Sequence, residues 1–276
     1  MIRRILIAGV IVLVVAFAWV NLSKKKDQLV VEQQETNSEP NSELNAGKLY
    51  DQALVMKKNG EFVNAQNSYR KLIKEYPDHE NIDIIQKEYE NLSMQIIFSN
   101  TPTENTIIHE VVSGDSLGKL AKKYNTTIEL IKISNSLKSD IIRIGQKLRI
   151  WTAPFDIFVD KSQNVLMLKT GERVVKVYNV STGSNNSTPV GEFTVTTKLT
   201  DPVWFNRGVV VPPESPENVL GSRWLGFDLP GYGIHGTVEP DTIGKQVTAG
   251  CVRMRNEEVE ELYSIIPFGT KVVIAN

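Results

Sequence analysis

The chain begins with an unbroken apolar run, Ile5 to Val20, set between Arg3-Arg4 and Lys24-Lys25-Lys26. At about 1.5 Å per residue this run spans about 24 Å, slightly less than a bilayer core of about 30 Å, and snorkelling Arg and Lys side chains close the gap. Residues 1–26 therefore read as an N-terminal transmembrane helix that anchors the chain in a membrane. Ala16-Phe17-Ala18 leaves a cleaved signal segment as the alternative. Residues 27–45 carry Gln, Glu, Asn and Ser with few large apolar side chains after Val31, and read as a flexible linker.

Between residues 46 and 99 the apolar spacing turns helical. Leu49, Tyr50, Ala53 and Leu54 form one set, and Phe62, Ala65, Tyr69, Leu72 and Ile73 a second, with Asn59-Gly60 as the turn between them. The pattern predicts a short α-helical hairpin, with a third helix from about Asn81 to Phe98 covering its open face. Gly60, Phe62, Ala65, Tyr69 and Pro77 resemble the offsets of one tetratricopeptide repeat. That resemblance implies either a helical spacer or a surface for a protein partner.

Residues 106–151 change rhythm again. Ile107 to Val112 is rich in β-branched residues and predicts a strand, and Ser113-Gly114-Asp115-Ser116 predicts a turn with Asp115 as N-cap. Leu117, Leu120, Ala121 and Tyr124 mark one helical face. Thr126 and Glu129 read as a capping box for a second helix, and Gly145-Gln146 turns the chain into a closing strand. This βααβ order resembles a LysM module, on Val112-x-Gly114-Asp115-x-Leu117, Ala121-x-x-Tyr124, Asn135 and Gly145-Gln146-x-Leu148. The resemblance implies binding of N-acetylglucosamine-containing glycan such as peptidoglycan, with Gly114, Asp115, Ser116 and Asn135 beside the groove. His109 reads as a surface residue of the first strand.

Residues 154–276 are mostly strand-like. Phe155 to Val159, Val165 to Leu168 and Val174 to Val180 are short apolar runs, the last two joined by a turn at Lys169 to Glu172. Ser181 to Ser187 reads as a loop, Thr194 to Thr197 as a strand and Lys271 to Ile274 as a closing strand. Asn256 reads as the cap of a helix that buries Val259, Leu262 and Ile266. The whole chain is thus expected to be multidomain, with a β-rich C-terminal domain.

Composition narrows the chemistry. The 276 residues are 41% hydrophobic and carry a formal net charge of −1, so no global basic field directs the chain to nucleic acid. A single Cys excludes an internal disulfide and a cysteine-rich zinc cluster, and the three His residues, 79, 109 and 235, are far apart with no HExxH. No metal and no cofactor is expected. A lone Cys is ordinarily a small buried hydrophobe, and a lone His a satisfied core or surface residue. Here the chain reads as exported, where an unpaired thiol is a hazard unless used, and glycines flank both Cys251 and His235. The two lie sixteen residues apart on separate segments, as a nucleophile and its base usually do.

That pair, within Gly231-Tyr232-Gly233-Ile234-His235-Gly236-Thr237 and Thr248-Ala249-Gly250-Cys251-Val252-Arg253, resembles the L,D-transpeptidase catalytic domain of bacterial cell-wall enzymes. Val180-Ser181-Thr182-Gly183, Thr188-Pro189-x-Gly191-x-Phe193 and Gly221-x-Arg223-Trp224 extend the resemblance across the domain. Ala249 departs from it, because a basic residue or His is common there. The resemblance implies a Cys251 nucleophile and a His235 base that act on peptidoglycan tetrapeptide stems. D-Ala would be released and the acyl group passed to an amine (a 3→3 crosslink), or to water in the carboxypeptidase alternative. A non-catalytic wall-binding scaffold is the reading from another class. The backbone N–H groups of Gly250 and Cys251 are candidate oxyanion donors, and a backbone carbonyl, that of Gly236 itself included, is the expected acceptor for His235. Arg253 either meets a substrate carboxylate or braces the Cys loop. Tyr232 either donates to the oxyanion or packs, and Thr248 either bonds His235 or caps a turn. Trp204, Phe205, Trp224 and Phe227 either line a groove or pack in the core. The location implied is the cell envelope, with the catalytic domain outside the membrane.

Overall fold

The computed structural model describes residues 39–206 and 208–276. The apolar run, and with it the anchor or signal reading, lies outside the described residues; among these, no helix is long and apolar enough to cross a membrane. Helix α1 (Glu39–Lys58) begins earlier than expected, so residues 39–45, read as linker, are helical. Pro40 falls in its first turn, where a missing N–H costs no helical bond.

The chain divides into two compact bodies between Tyr89 and Glu90. In the first, α1 and α2 (Phe62–Glu75) form the expected hairpin around buried Ala53, Ala65, Tyr69 and Leu72. Asn59-Gly60 makes the turn, with Gly60 at φ +80°. The division falls within α3 (Ile82–Phe98).

The second body opens with the βααβ unit. Strands β1 (Thr106–Glu110) and β2 (Lys147–Trp151) pair antiparallel, Thr106 opposite Trp151. Against them lie α4 (Leu117–Lys123) and α5 (Ile128–Ser134), whose Leu117, Leu120 and Ile131 share a core with Val111, Leu148 and Ile150. Both helix caps sit one residue later than expected. Ser116, not Asp115, accepts from Lys119 N, and Thr127, not Thr126, accepts from Leu130 N. Asp115 is engaged elsewhere: its Oδ2 accepts from Val112 N and pairs with His109 Nε2 at 2.9 Å. His109 Nδ1 lies 3.0 Å from the Tyr124 hydroxyl, so this histidine is a partnered bracket, not a bare surface residue.

The remaining residues build an eight-stranded sheet, whose strands lie in the order 252–253, 233–235, 223–227, 191–200, 271–275, 156–160, 165–170 and 173–179, with two further strand pairs, 182–183 with 246–248 and 204–206 with 209–211. Its first hairpins are β3 (Asp156–Asp160), β4 (Val165–Thr170) and β5 (Arg173–Asn179), as the apolar runs predict. The expected loop at 181–187 contains a two-residue strand, β6 (Thr182–Gly183). β7 (Gly191–Thr200) is longer than expected, and β8 (Trp204–Asn206), β9 (Val209–Val211), β10 (Arg223–Phe227), β11 (Gly233–His235), β12 (Gln246–Thr248) and β13 (Val252–Arg253) have no apolar period long enough to reveal them. Helix α6 (Asn256–Ile265) buries Val259, Leu262 and Ile265 under the sheet, and β14 (Lys271–Ala275) pairs parallel with β3 and antiparallel with β7. Arg255, not Asn256, occupies the cap position of α6.

Helix ends receive donors from the βααβ unit and from the sheet domain. The C-terminal carbonyls of a helix lack partners of their own and carry partial negative charge. Ile96 and Ile97 at the end of α3 accept from the buried Arg149 guanidinium at 3.0 and 2.8 Å. Tyr263 and Ile266 at the end of α6 each accept from Lys198 Nζ at 2.8 Å, and Ser264 O accepts from Thr127 Oγ1 of the βααβ unit. Leu130 of α5 is buried with Ile97, Trp151 and Phe155 in the same core as the sheet. Burial alone pushes the Arg149 guanidinium down to about 10, a sign of its desolvation. Arg149→Ala strips both α3 carbonyls of their donor and is expected to lower stability by about 3 kcal/mol. Urea denaturation with an unchanged slope would read this as a lower midpoint.

Candidate active site

The short parallel pairing of β11 with β13 makes the site. Ile234 lies opposite Val252 and His235 opposite Arg253, so the turn that precedes β13 is brought beside the His235 strand. Thr248 closes that turn: its Oγ1 donates to Cys251 O at 2.7 Å and accepts from Gly250 N at 3.2 Å. Gly250 has φ +136°, and a Cβ there would lie 2.7 Å from Tyr232 Cε1. Only glycine fits between the turn and the Tyr232 ring. Cys251 is left partly exposed, with its thiol donating to Gly231 O at 3.5 Å.

His235 is buried, 3% exposed, with its ring stacked on Trp224 at a centroid distance of 6.0 Å. Its Nδ1 lies 2.6 Å from Gly236 O. A carbonyl only accepts, so Nδ1 carries the proton and Nε2 presents a lone pair. Among the described residues no hydrogen bond joins the imidazole to the thiol.

Burial pushes the His235 imidazole down to about 4, with the Gly236 hydrogen bond opposing and the Arg253 charge assisting. Burial also pushes the Cys251 thiol up, against a Gly233 backbone hydrogen bond and the Arg253 charge. At neutral pH the resting site therefore holds a neutral thiol and a neutral imidazole. A thiolate arises there only as its proton moves to a base.

The other site residues expected from sequence fall into place unevenly. Gly236 supplies the carbonyl for His235. Gly250 N–H is taken by Thr248, so it is not a free oxyanion donor; Cys251 N–H has no partner among the described residues. Thr248 caps the turn and does not bond His235. Tyr232 packs on Gly250. Arg253 braces the loop: it is 6% exposed, and its Nη1 bonds Glu239 Oε2 at 2.7 Å and Thr242 Oγ1 at 2.9 Å. Phe227 stacks in the core on Phe193, whereas Phe205 is exposed on β8. In the βααβ unit, Gly114 turns with φ +89° and Ser116 caps α4. The Asn135 amide bonds Arg149 N and O, both at 2.7 Å, so its side chain is engaged in joining α5 to β2. Two residues near the site escaped the sequence. Lys161 is buried, with Nζ donating to Asn186 O and Thr188 O. Asn256, read as a cap, reaches instead into the loop after His235. Neither has a local pattern that announces it.

Residues 154–274 match the L,D-transpeptidase catalytic domain (YkuD) profile, and residues 109–151 match the LysM domain profile. Two Bacillus subtilis proteins assigned as L,D-transpeptidases are similar to this chain. YkuD is 34% identical over 61% of this chain and 98% of its own length, and YqjB 42% identical over 44% and 70%. A solved L,D-transpeptidase from Mycobacterium smegmatis aligns with a TM-score of 0.39 at 19% identity, over 49% of this chain and 65% of that one. The chain belongs to the L,D-transpeptidase family and carries a LysM domain.

The His235 environment sets a stability signature. Its folded value, about 4, lies below the ordinary 6.5, so between these the unfolded chain binds a proton that the folded chain refuses. Stability contributed by the neutral ring is complete above pH 6.5 and is lost as pH falls toward 4. Thermal midpoints across this range are expected to drop more steeply for the native protein than for His235→Gln.

Proposed function

We propose that the protein is an envelope L,D-transpeptidase with Cys251 as nucleophile and His235 as base. The observation that carries this reading is a partly exposed thiol on a glycine turn, immediately before a strand that pairs parallel with the strand whose histidine presents an unprotonated Nε2. In the first half-reaction the Sγ–H proton passes to Nε2 as sulfur attacks the carbonyl carbon before the terminal D-Ala of a tetrapeptide stem. Cys251 N–H offers the oxyanion a donor. The C–N bond then breaks, His235 returns the proton to the departing D-Ala amine, and a thioester remains. In the second half, an amine from another stem attacks the thioester carbonyl, its proton passes to His235, and as the C–S bond breaks His235 returns that proton to the departing sulfur, leaving the thiol and the crosslink. Water in place of the amine gives the carboxypeptidase outcome.

The glycan of peptidoglycan is the ligand proposed for the LysM unit, at the Gly114–Ser116 turn. Holding the polymer there raises the local concentration of stems without altering the chemistry. The helical pair α1 and α2, whose tetratricopeptide likeness rests on residue offsets, serves as a spacer or meets a protein partner. An N-terminal anchor in the membrane completes the envelope location.

The test is mass spectrometry of products from the full chain and purified tetrapeptide muropeptides. The native protein is expected to yield a dimer one D-Ala lighter than two monomers, with free D-Ala. Cys251→Ala is expected to yield neither while still pelleting with sacculi. Retained turnover in that variant overturns the nucleophile, and trimmed monomer without dimer converts the reading to carboxypeptidase.

A further inference from the structure

The loop after His235 is held from an unexpected direction. Asn256, the first residue of α6, accepts at Oδ1 from Thr237 N at 2.9 Å and from Ser222 N at 3.2 Å, and its Nδ2 donates to Thr237 O at 2.9 Å. The fit is close: a Cβ on Gly236 would lie 2.1 Å from Oδ1, and one on Gly221 2.3 Å from it. Thr237 N and Gly236 O belong to one planar peptide group, and Gly236 O is the atom that takes the His235 Nδ1 proton at 2.6 Å. Asn256 and His235 thus hold opposite ends of a single amide, its N–H on one side and its C=O on the other.

We propose that Asn256 is a positioning residue that fixes the His235 tautomer through the Gly236–Thr237 peptide. A hydrogen bond accepted from the peptide N–H polarises its carbonyl and locks the plane, so that the carbonyl stays in the Nδ1 direction and Nε2 stays free. The arrangement performs through one backbone amide what a side chain bonded directly to the ring performs elsewhere. Asn256 lies one residue inside the cap position of α6, which Arg255 holds, and its amide is given wholly to the loop. The charged or titratable groups on the elements around the ring are Arg253, held by Glu239, and the Cys251 thiol from the β13 side. β10 adds Arg223, whose guanidinium is 4.0 Å from Asp201 and from Glu260 of α6.

The inference rests on the Cys251–His235 reading for its consequence in catalysis, but its first readout does not. Nitrogen-15 NMR of the resting protein is expected to show His235 wholly as the Nδ1–H tautomer. In Asn256→Ala the tautomers are expected to mix, and kcat for D-Ala release to fall roughly tenfold to a hundredfold with KM unchanged, within what a general base contributes. Asn256→Asp keeps an acceptor for both N–H groups and adds a negative charge. It is expected to restore the Nδ1–H tautomer and to move the His235 titration to higher pH. An Asn256→Ala protein with an unmixed tautomer and native kcat overturns the proposal. Should that variant fail to fold, an Asn256→Asp protein whose His235 titration stays at the native position overturns it equally. Turnover surviving in Cys251→Ala would instead strike the catalytic reading and leave the tautomer result standing.

Discussion

Two residue pairs in parallel register, Ile234 with Val252 and His235 with Arg253, are the constraint on which the site depends. β11 and β13 are three and two residues long, too short to hold together unaided. They are kept in place from outside. β10 pairs with the far side of β11, Met254 N donates to His235 O at 2.8 Å, and Ser181 bonds both backbone groups of Arg253. Buried Ile234, Val252 and Met254 seal the pairing into the main core. Disturbing any of these would move the thiol relative to the imidazole before it changed either group.

The electrostatics of the pair follow from the same packing. A ring buried among strands and stacked on Trp224 loses the hydration that would stabilise its cation, and the Arg253 charge beside it adds to that cost. The thiol is likewise held protonated. In the proposed mechanism the ion pair is therefore not stored in the resting enzyme but created as substrate carbonyl, thiol and imidazole come together. The partly exposed thiol is thereby spared reactivity toward solutes other than its substrate.

Much of this was legible in the sequence, and for identifiable reasons. Cys251 and His235 stand out because each is unique in its neighbourhood and framed by glycines, and the Gly236 carbonyl follows from the need of a ring for an acceptor where the next residue has no side chain. The βααβ unit and the first hairpins follow from apolar period. The strands between residues 200 and 253 do not, because strands of two or three residues cannot show a period and the five-residue β10 buries three residues in a row instead of alternating. Cap positions were off by one at Ser116 and Thr127, where two adjacent polar residues compete and only tertiary contacts decide: Asp115 is drawn to His109, while Thr127 reaches Ser264 O. Asn256 and Arg253 illustrate the same limit, since each bonds residues at least eleven positions away that no local pattern brings near.

The LysM unit is no loosely tethered bead, since Thr127, Leu130 and Arg149 tie it to the helix ends and the core of the body that carries the site. Glycan held at one end of this body would be presented to the other in a fixed orientation. The central claim is that sulfur becomes acylated, and the most direct measurement is rapid-quench peptide mapping of the protein mixed with a tetrapeptide stem. The account requires a stem acyl group, less D-Ala, on the peptide containing Cys251. Quantitative D-Ala release with that peptide unmodified at every time point would contradict it.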